Sequence, residues 1–389
     1  MIKFSPTRLL ALTACSGTLF FAVAPSAHAM PKMKGKMMMG RVMNANGMMM
    51  PPLVGQPDPQ MRAVLNAWLS LNPKPIVKLT PKQARQQPFV GEGVKLVLAK
   101  QGRSTAPEAV DSVTDMMVPG PAGAPNVLVR VYKPLNSRDA AMEGQLPVLV
   151  YFHGGGFVIA SITAYDASCR ALANKTGAVV CAVAYRMAPE HRLPAAHEDS
   201  YAATQYIMKN ARKFGGNSAK VAVAGESAGG NLATDMCLMA KMRGGVMPIH
   251  QLLVYPVVQG KETASYRAYE TPKPAKIKAI PLTSPAMRWF FKYALPYPAF
   301  GKTALASPLH APDSMFKGLP PATIIGAQID PLQSEGKLYA AKLRRNGIPV
   351  KYMLYPGVTH EFFGMGAVVD KAKQAENFAA NQLKMAYNR

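Results

Sequence analysis

The chain has 389 residues, 49% of them hydrophobic, and carries 45 lysines and arginines against 21 aspartates and glutamates, a formal charge of +24. That length exceeds the usual single domain but is common for α/β chains built as one core with a cap. The positive excess favours anionic surroundings such as lipopolysaccharide, acidic polysaccharide or an anionic membrane face; nucleic-acid recognition is not expected, because the basic residues are scattered through helices and loops instead of alternating with aromatics on one element.

Residues 1–29 read as a secretory leader. Lys3 and Arg8 supply the positive region, Leu9 to Ala24 the apolar region and Ala27-His28-Ala29 a small-x-small cleavage site, so an exported chain, periplasmic or secreted, is expected to start near Met30 with a charge of +22. Two rival readings are a lipidation box at Leu12-Thr13-Ala14-Cys15 and an uncleaved anchor. Beyond the leader no apolar stretch reaches the ~20 residues of a membrane-spanning helix. Residues 30–57 form a Met/Lys/Pro-rich segment expected to be disordered. Between Met30 and Pro52 it holds nine methionines, four basic residues and no acid. A flexible basic tether is the plain reading; the soft thioethers make copper binding the sharper one. Of the four cysteines, Cys169, Cys181 and Cys237 follow the leader, each in an apolar run that points to a buried free thiol.

The catalytic-scale domain is expected over 58–389. Its first part, to about residue 103, has Met61, Val64, Leu65, Trp68 and Leu69 at helical spacing and a second helix start at Thr80-Pro81, and reads as a cap. Apolar strands then follow at 127–132, 147–152, 178–185, 221–224, 252–258, 322–327 and 350–355. Helical stretches separate several of them, at 164–175, 198–214, 230–242 and 335–345, with a last helix at 371–387. This alternation predicts a mostly parallel central sheet with helices on both faces. Residues 260–319, rich in proline and lysine with Trp289, Phe290, Phe291 and Tyr293, break the rhythm and are expected to complete a helical cap.

Two motifs follow strands. His153-Gly154-Gly155-Gly156 offers backbone N–H groups with no side chains in the way, suited to a developing oxyanion. Gly225-Glu226-Ser227-Ala228-Gly229 is a G-x-S-x-G turn, whose strain requires small neighbours on both sides of the serine. A serine hydroxyl needs a histidine to take its proton and a carboxylate to orient that histidine, in chain order Ser, acid, His. Asp330 ends the apolar run Ala322 to Ile329, and His360 follows a strand and the turn Pro356-Gly357, so both are expected at the sheet's carboxyl edge beside Ser227. His250 opens a strand and His310 sits in the irregular segment, which makes them poorer candidates. Glu190, Glu198, Asp199 and Glu226 read as structural hydrogen-bonding or helix-start residues. His191 and His197, six apart, do not match the ligand spacing of one helix face, and no metal or cofactor is expected.

These motifs resemble the hormone-sensitive-lipase-like esterases of the α/β-hydrolase fold. The resemblance runs from about Asp58 to the C-terminus and includes Tyr185-Arg186-Met187-Ala188-Pro189-Glu190, Pro194-Ala195-Ala196, Asp330-Pro331-Leu332 and Gly357 with His360 and Phe362. Ser334, where such chains often have Asp, and Leu193, where Phe is usual, depart from the pattern. The resemblance implies Ser227 as nucleophile, Asp330 as acid, His360 as base, and the N–H groups of Gly155, Gly156 and Ala228 as oxyanion donors, with His153 shaping the loop. It implies a carboxylic-ester hydrolase for short to medium acyl chains, a small-molecule acyl ester as partner, and self-association into a homodimer. The same site acting on an amide, a lactone or an acetylated envelope polysaccharide stays open, as does a ligand-binding member of the fold. The plant gibberellin receptors, which are similar to this family, lack the histidine that this chain keeps.

Overall fold

The computed structural model describes residues 55–261 and 280–389. The leader, nearly all of the methionine-rich segment and residues 262–279 lie outside the described residues. The last part of that segment, expected to be disordered, is instead held at the body. Pro57 is buried, and the next residue, Asp58, donates its N–H to Gly357 O at 2.8 Å and caps helix Pro59–Ser70 through its side chain.

Eight strands form one sheet: β1 (Ser112–Val118), β2 (Val127–Lys133), β3 (Leu146–Phe152), β4 (Val179–Ala184), β5 (Gly216–Glu226), β6 (Gln251–Val254), β7 (Ala322–Ile329) and β8 (Val350–Thr359). The spatial order is β1-β2-β4-β3-β5-β6-β7-β8; β1 and β2 pair antiparallel, as do β2 and β4, and every other pair is parallel. Covered on both faces, the central strands are apolar at nearly every position, and β7 is buried along its whole length. Alternation divides them between two cores. Val148, Val150 and Phe152 of β3 join helices Ala195–Lys209, Ala228–Arg243 and Gln333–Arg345 on one face. Leu149 and Tyr151 join helices Pro59–Ser70, Asp166–Thr176 and Asp370–Tyr387 on the other.

β1 was not expected from the sequence. It is a largely exposed edge strand without an apolar run, registered on β2 and tied to it by an Asp115–Arg130 ion pair at 2.7 Å.

The irregular stretch 260–319 divides. Ile280 to Phe291, including most of helix Ser284–Ala294, contribute to the wall of a large pocket above the sheet's carboxyl edge, as does the N-terminal part between Trp68 and Val90. The later part, with Ala306, Ala311, Phe316 and Leu319, packs into the core of the first face.

Candidate active site

β5 ends at Glu226, and Ser227 turns the chain into helix Ala228–Arg243 with φ 58° and ψ −116°. A positive φ on a residue with a side chain is strained. The strain is held by flanking hydrogen bonds, Ser227 N–H to Val254 O at 2.9 Å and Val257 N–H to Ser227 O at 3.1 Å. Glycine is required on both sides by contact: a Cβ at Gly225 would collide with the carbonyl of Gly229, and one at Gly229 with those of Phe152 and His153.

β7 and β8 are neighbours, so the residues that leave their carboxyl ends meet. Asp330 Oδ2 accepts from His360 Nδ1 at 2.7 Å, and His360 Nε2 lies 2.9 Å from Ser227 Oγ. Asp330 Oδ1 accepts the N–H of Leu332 at 2.8 Å, so both carboxylate oxygens are engaged. A carboxylate only accepts, which puts the ring proton on Nδ1 and leaves Nε2 to accept from the serine hydroxyl. All three residues are buried. Burial alone would depress His360; the charge and hydrogen bond of Asp330, with Glu361 and Glu226 adding, overcome it and leave the imidazole above its ordinary value.

The glycine loop after β3 carries Gly155 at φ 98° and Gly156 at φ 60°. A Cβ on Gly156 would strike the ring of Phe290 in helix Ser284–Ala294. The N–H groups of Gly155, Gly156 and Ala228 donate to no other backbone group among the described residues, as suits positions kept for an incoming oxygen. His153 is turned away. Its Nδ1 donates to Gly154 O at 2.7 Å, its ring stacks on Tyr185 at 4.3 Å, and burial lowers it to about 4, so it is neutral and shapes the loop.

The remaining polar residues singled out by sequence have structural partners. Glu226 is buried beside the Ser227 turn, where the hydroxyls of Tyr151, at 2.5 Å, and Tyr255 donate to it. Asp199 takes a bidentate pair from Arg186, and Glu198 one from Arg243. Glu190 binds Arg85, which also donates to Val158 O at 2.8 Å and Ala188 O at 2.7 Å, tying the segment around Arg85 to the glycine loop. His250 bonds Thr323 and His310 bonds Gln259, away from Ser227. His197 is buried against Asp235 and Asn231. Leu193 is buried and donates its N–H to Ala294 O, at the end of helix Ser284–Ala294, at 3.0 Å. Cys169, Cys181 and Cys237 are buried free thiols, pushed up by burial. No cluster of three or more His, Cys, Asp or Glu among the described residues could hold a metal ion.

Ser227 and His360 open into a pocket of about 800 Å³ lined mainly by apolar side chains, among them Trp68, Ile76, Phe89, Leu282, Met287 and Phe290. Glu361 also lines it, and sequence reasoning missed this residue. Its place directly after His360 was the one available signal.

The family model described as alpha/beta hydrolase fold matches residues 149–364. Esterase LipI of Mycobacterium tuberculosis is 36% identical over 266 residues, 68% of this chain and 79% of that protein. Ethyl acetate hydrolase of Pseudomonas putida is 34% identical over 248 residues, 63% of this chain and 74% of that protein. The hyperthermophilic esterase from the archaeon Pyrobaculum calidifontis superimposes with a TM-score of 0.73 at 36% identity, covering 86% of this chain and 100% of that one. The chain belongs to the α/β-hydrolase fold family, within its hormone-sensitive-lipase-like esterases.

Proposed function

We propose that this carboxylic-ester hydrolase works through a serine acyl-enzyme, with Ser227 as nucleophile, His360 as base and then acid, Asp330 as the carboxylate that orients His360, and the N–H groups of Gly155, Gly156 and Ala228 as oxyanion donors. The observation that carries the proposal is the unbroken hydrogen-bond chain Ser227–His360–Asp330 at the floor of an apolar pocket. Ser227 Oγ attacks the ester carbonyl as its proton passes to His360 Nε2. The tetrahedral intermediate collapses, the C–O bond breaks, and the alcohol leaves with that proton. Water, deprotonated by His360, then attacks the acyl-enzyme and releases the acid. Asp330 holds the tautomer and offsets the imidazolium charge without taking the proton.

The apolar, capped pocket supports short to medium acyl chains. Hydrolysis of p-nitrophenyl esters from acetate to palmitate should peak at the short end, and Ser227→Ala should lower kcat by about a millionfold. A peak at palmitate would sink the chain-length reading; retained turnover by the variant would sink the role of Ser227. Export through the leader, an anionic envelope surface as neighbour of the positive charge, and self-association belong to the same proposal. N-terminal sequencing of the protein from a periplasmic fraction, salt-dependent binding to anionic polymer and the sedimentation mass check these in turn.

A further inference from the structure

The acyl-enzyme chemistry leaves one ionisable group in the pocket unused. Glu361 is partly buried, its side chain 10% exposed, lines the cavity with Ser227 and His360, and sits at φ 69°. The Tyr165 hydroxyl lies 2.8 and 2.7 Å from its two carboxylate oxygens, and Oε1 stands 3.7 Å from His360 Nε2. A left-handed backbone on such a residue costs on the order of 1–3 kcal/mol, and burying a carboxylate costs more. A residue that only filled space would require neither.

The electrostatic setting is unusual for this chain. Although it holds 45 lysines and arginines, none lies within ion-pair distance of Glu361 or Glu226 among the described residues. The groups around Glu361 are Tyr165 before helix Asp166–Thr176, His360 on its own loop, Glu226 ending β5, Asp330 following β7, and the more distant tyrosines Tyr185 and Tyr255. Lys74 and Arg85 line the same pocket, and Arg85 is matched by Glu190. Phe89, another lining residue, packs on Tyr165 with ring centroids 5.4 Å apart, so an aromatic wall adjoins the carboxylate. A carboxylate beside aromatic faces, with no lysine or arginine at ion-pair distance from it among the described residues, has the features that attract a positively charged ligand.

We propose that Glu361, with Phe89 beside it, forms a cation subsite on the alcohol side of the scissile bond, so that esters of positively charged amino alcohols are preferred over neutral esters of the same shape. The inference rests on the ester-hydrolase reading above. The side of the bond follows from His360 Nε2, which hands its proton to the leaving oxygen: a positive nitrogen two carbons beyond that oxygen comes near the carboxylate adjacent to Nε2. Burial chiefly, with Glu226 and Asp330 adding and His360 and Tyr165 opposing, pushes Glu361 up to about 7. The carboxyl is therefore charged above that pH, where the preference is present, and neutral below it, where the preference fades.

The test compares acetylcholine with the neutral ester in which carbon replaces its nitrogen. The kcat/KM ratio of the two cancels the shared titration of His360 and should rise on the order of tenfold from about pH 6 to about pH 8.5. In Glu361→Gln the ratio should be flat across that range, whatever the absolute rates. On wild type alone, tetramethylammonium should inhibit p-nitrophenyl acetate hydrolysis more strongly at the upper pH than at the lower, a measurement independent of how the variant folds. A wild-type ratio that does not change with pH, a pH-dependent ratio that survives in Glu361→Gln, or equal inhibition at both pH values overturns the subsite while leaving the esterase intact. Failure to turn over all three esters overturns the reading beneath it as well.

Discussion

Among the described residues, two buried histidine–carboxylate pairs lie along helix Ala228–Arg243, one at its start and one about two turns in, and one of them reaches a serine hydroxyl. In His360–Asp330 every outer atom is engaged: Nε2 meets Ser227 Oγ and Oδ1 takes a backbone N–H. In His197–Asp235, about two turns along helix Ala228–Arg243 from Ser227, His197 Nε2 stands 3.0 Å from both Asp235 Oδ2 and Asn231 Oδ1. This pair leads only to a backbone carbonyl, through the Asn231 amide to Leu305 O, while His197 Nδ1 and Asp235 Oδ1 are buried with no hydrogen-bond partner among the described residues. The contrast separates the pair as a chemical unit from the pair as a catalytic one. A histidine and a carboxylate at hydrogen-bond distance form in either place; a strand end that delivers them to a strained serine occurs in one.

Matching substitutions would break this comparison if it is wrong. Asp330→Asn should lower kcat about 10⁴-fold by spoiling the tautomer of His360 while the thermal midpoint stays near that of wild type. His197→Gln should do the reverse: removing one partner of a buried pair costs ~3 kcal/mol or more of stability, and the folded fraction should keep its kcat. Equal loss of activity in both would mean that the second pair serves the reaction. A subtler effect lies in the pH dependence of Asp235. Burial raises it from its ordinary value to about 7, so the stability it contributes is full below the unfolded carboxylate range and is lost as pH rises toward 7. Thermal midpoints of Asp235→Asn relative to wild type should therefore improve from about pH 4 to about pH 8; a constant difference would argue against a strained buried carboxyl. The smallest effect is expected at Glu190→Gln on the surface. Its partner Arg85 holds the carboxylate below its usual range, but the partly exposed pair should be worth ~1 kcal/mol or less, measurable by urea unfolding.

What could be read from sequence followed burial on both faces. β3, β4 and β7 are nearly unbroken apolar runs because helices cover them on each side, and Asp330 and His360 were found because polar residues that close such runs arrive at one edge. β1 left no comparable trace, since its residues Ser112 to Met117 face solvent or half-bury and only Val118 reaches the core. The His197–Asp235 pair joins positions 38 apart on two helices, a meeting set by helix packing and by no spacing rule. Glu361 stood in plain view beside His360. Its direction depends on a left-handed backbone that residue type does not disclose.

Arg85 binds three carbonyl or carboxylate partners at once: Val158 in the glycine loop, Ala188 on the following segment and Glu190 beyond it. The segment around Ala84 and the glycine loop are thereby fastened at one point, and heating that loosens one should loosen the other. Amide hydrogen exchange around Ala84 and around Val158 should accelerate over the same temperature interval, and loss of catalytic competence should set in there, ahead of the melting of the central sheet.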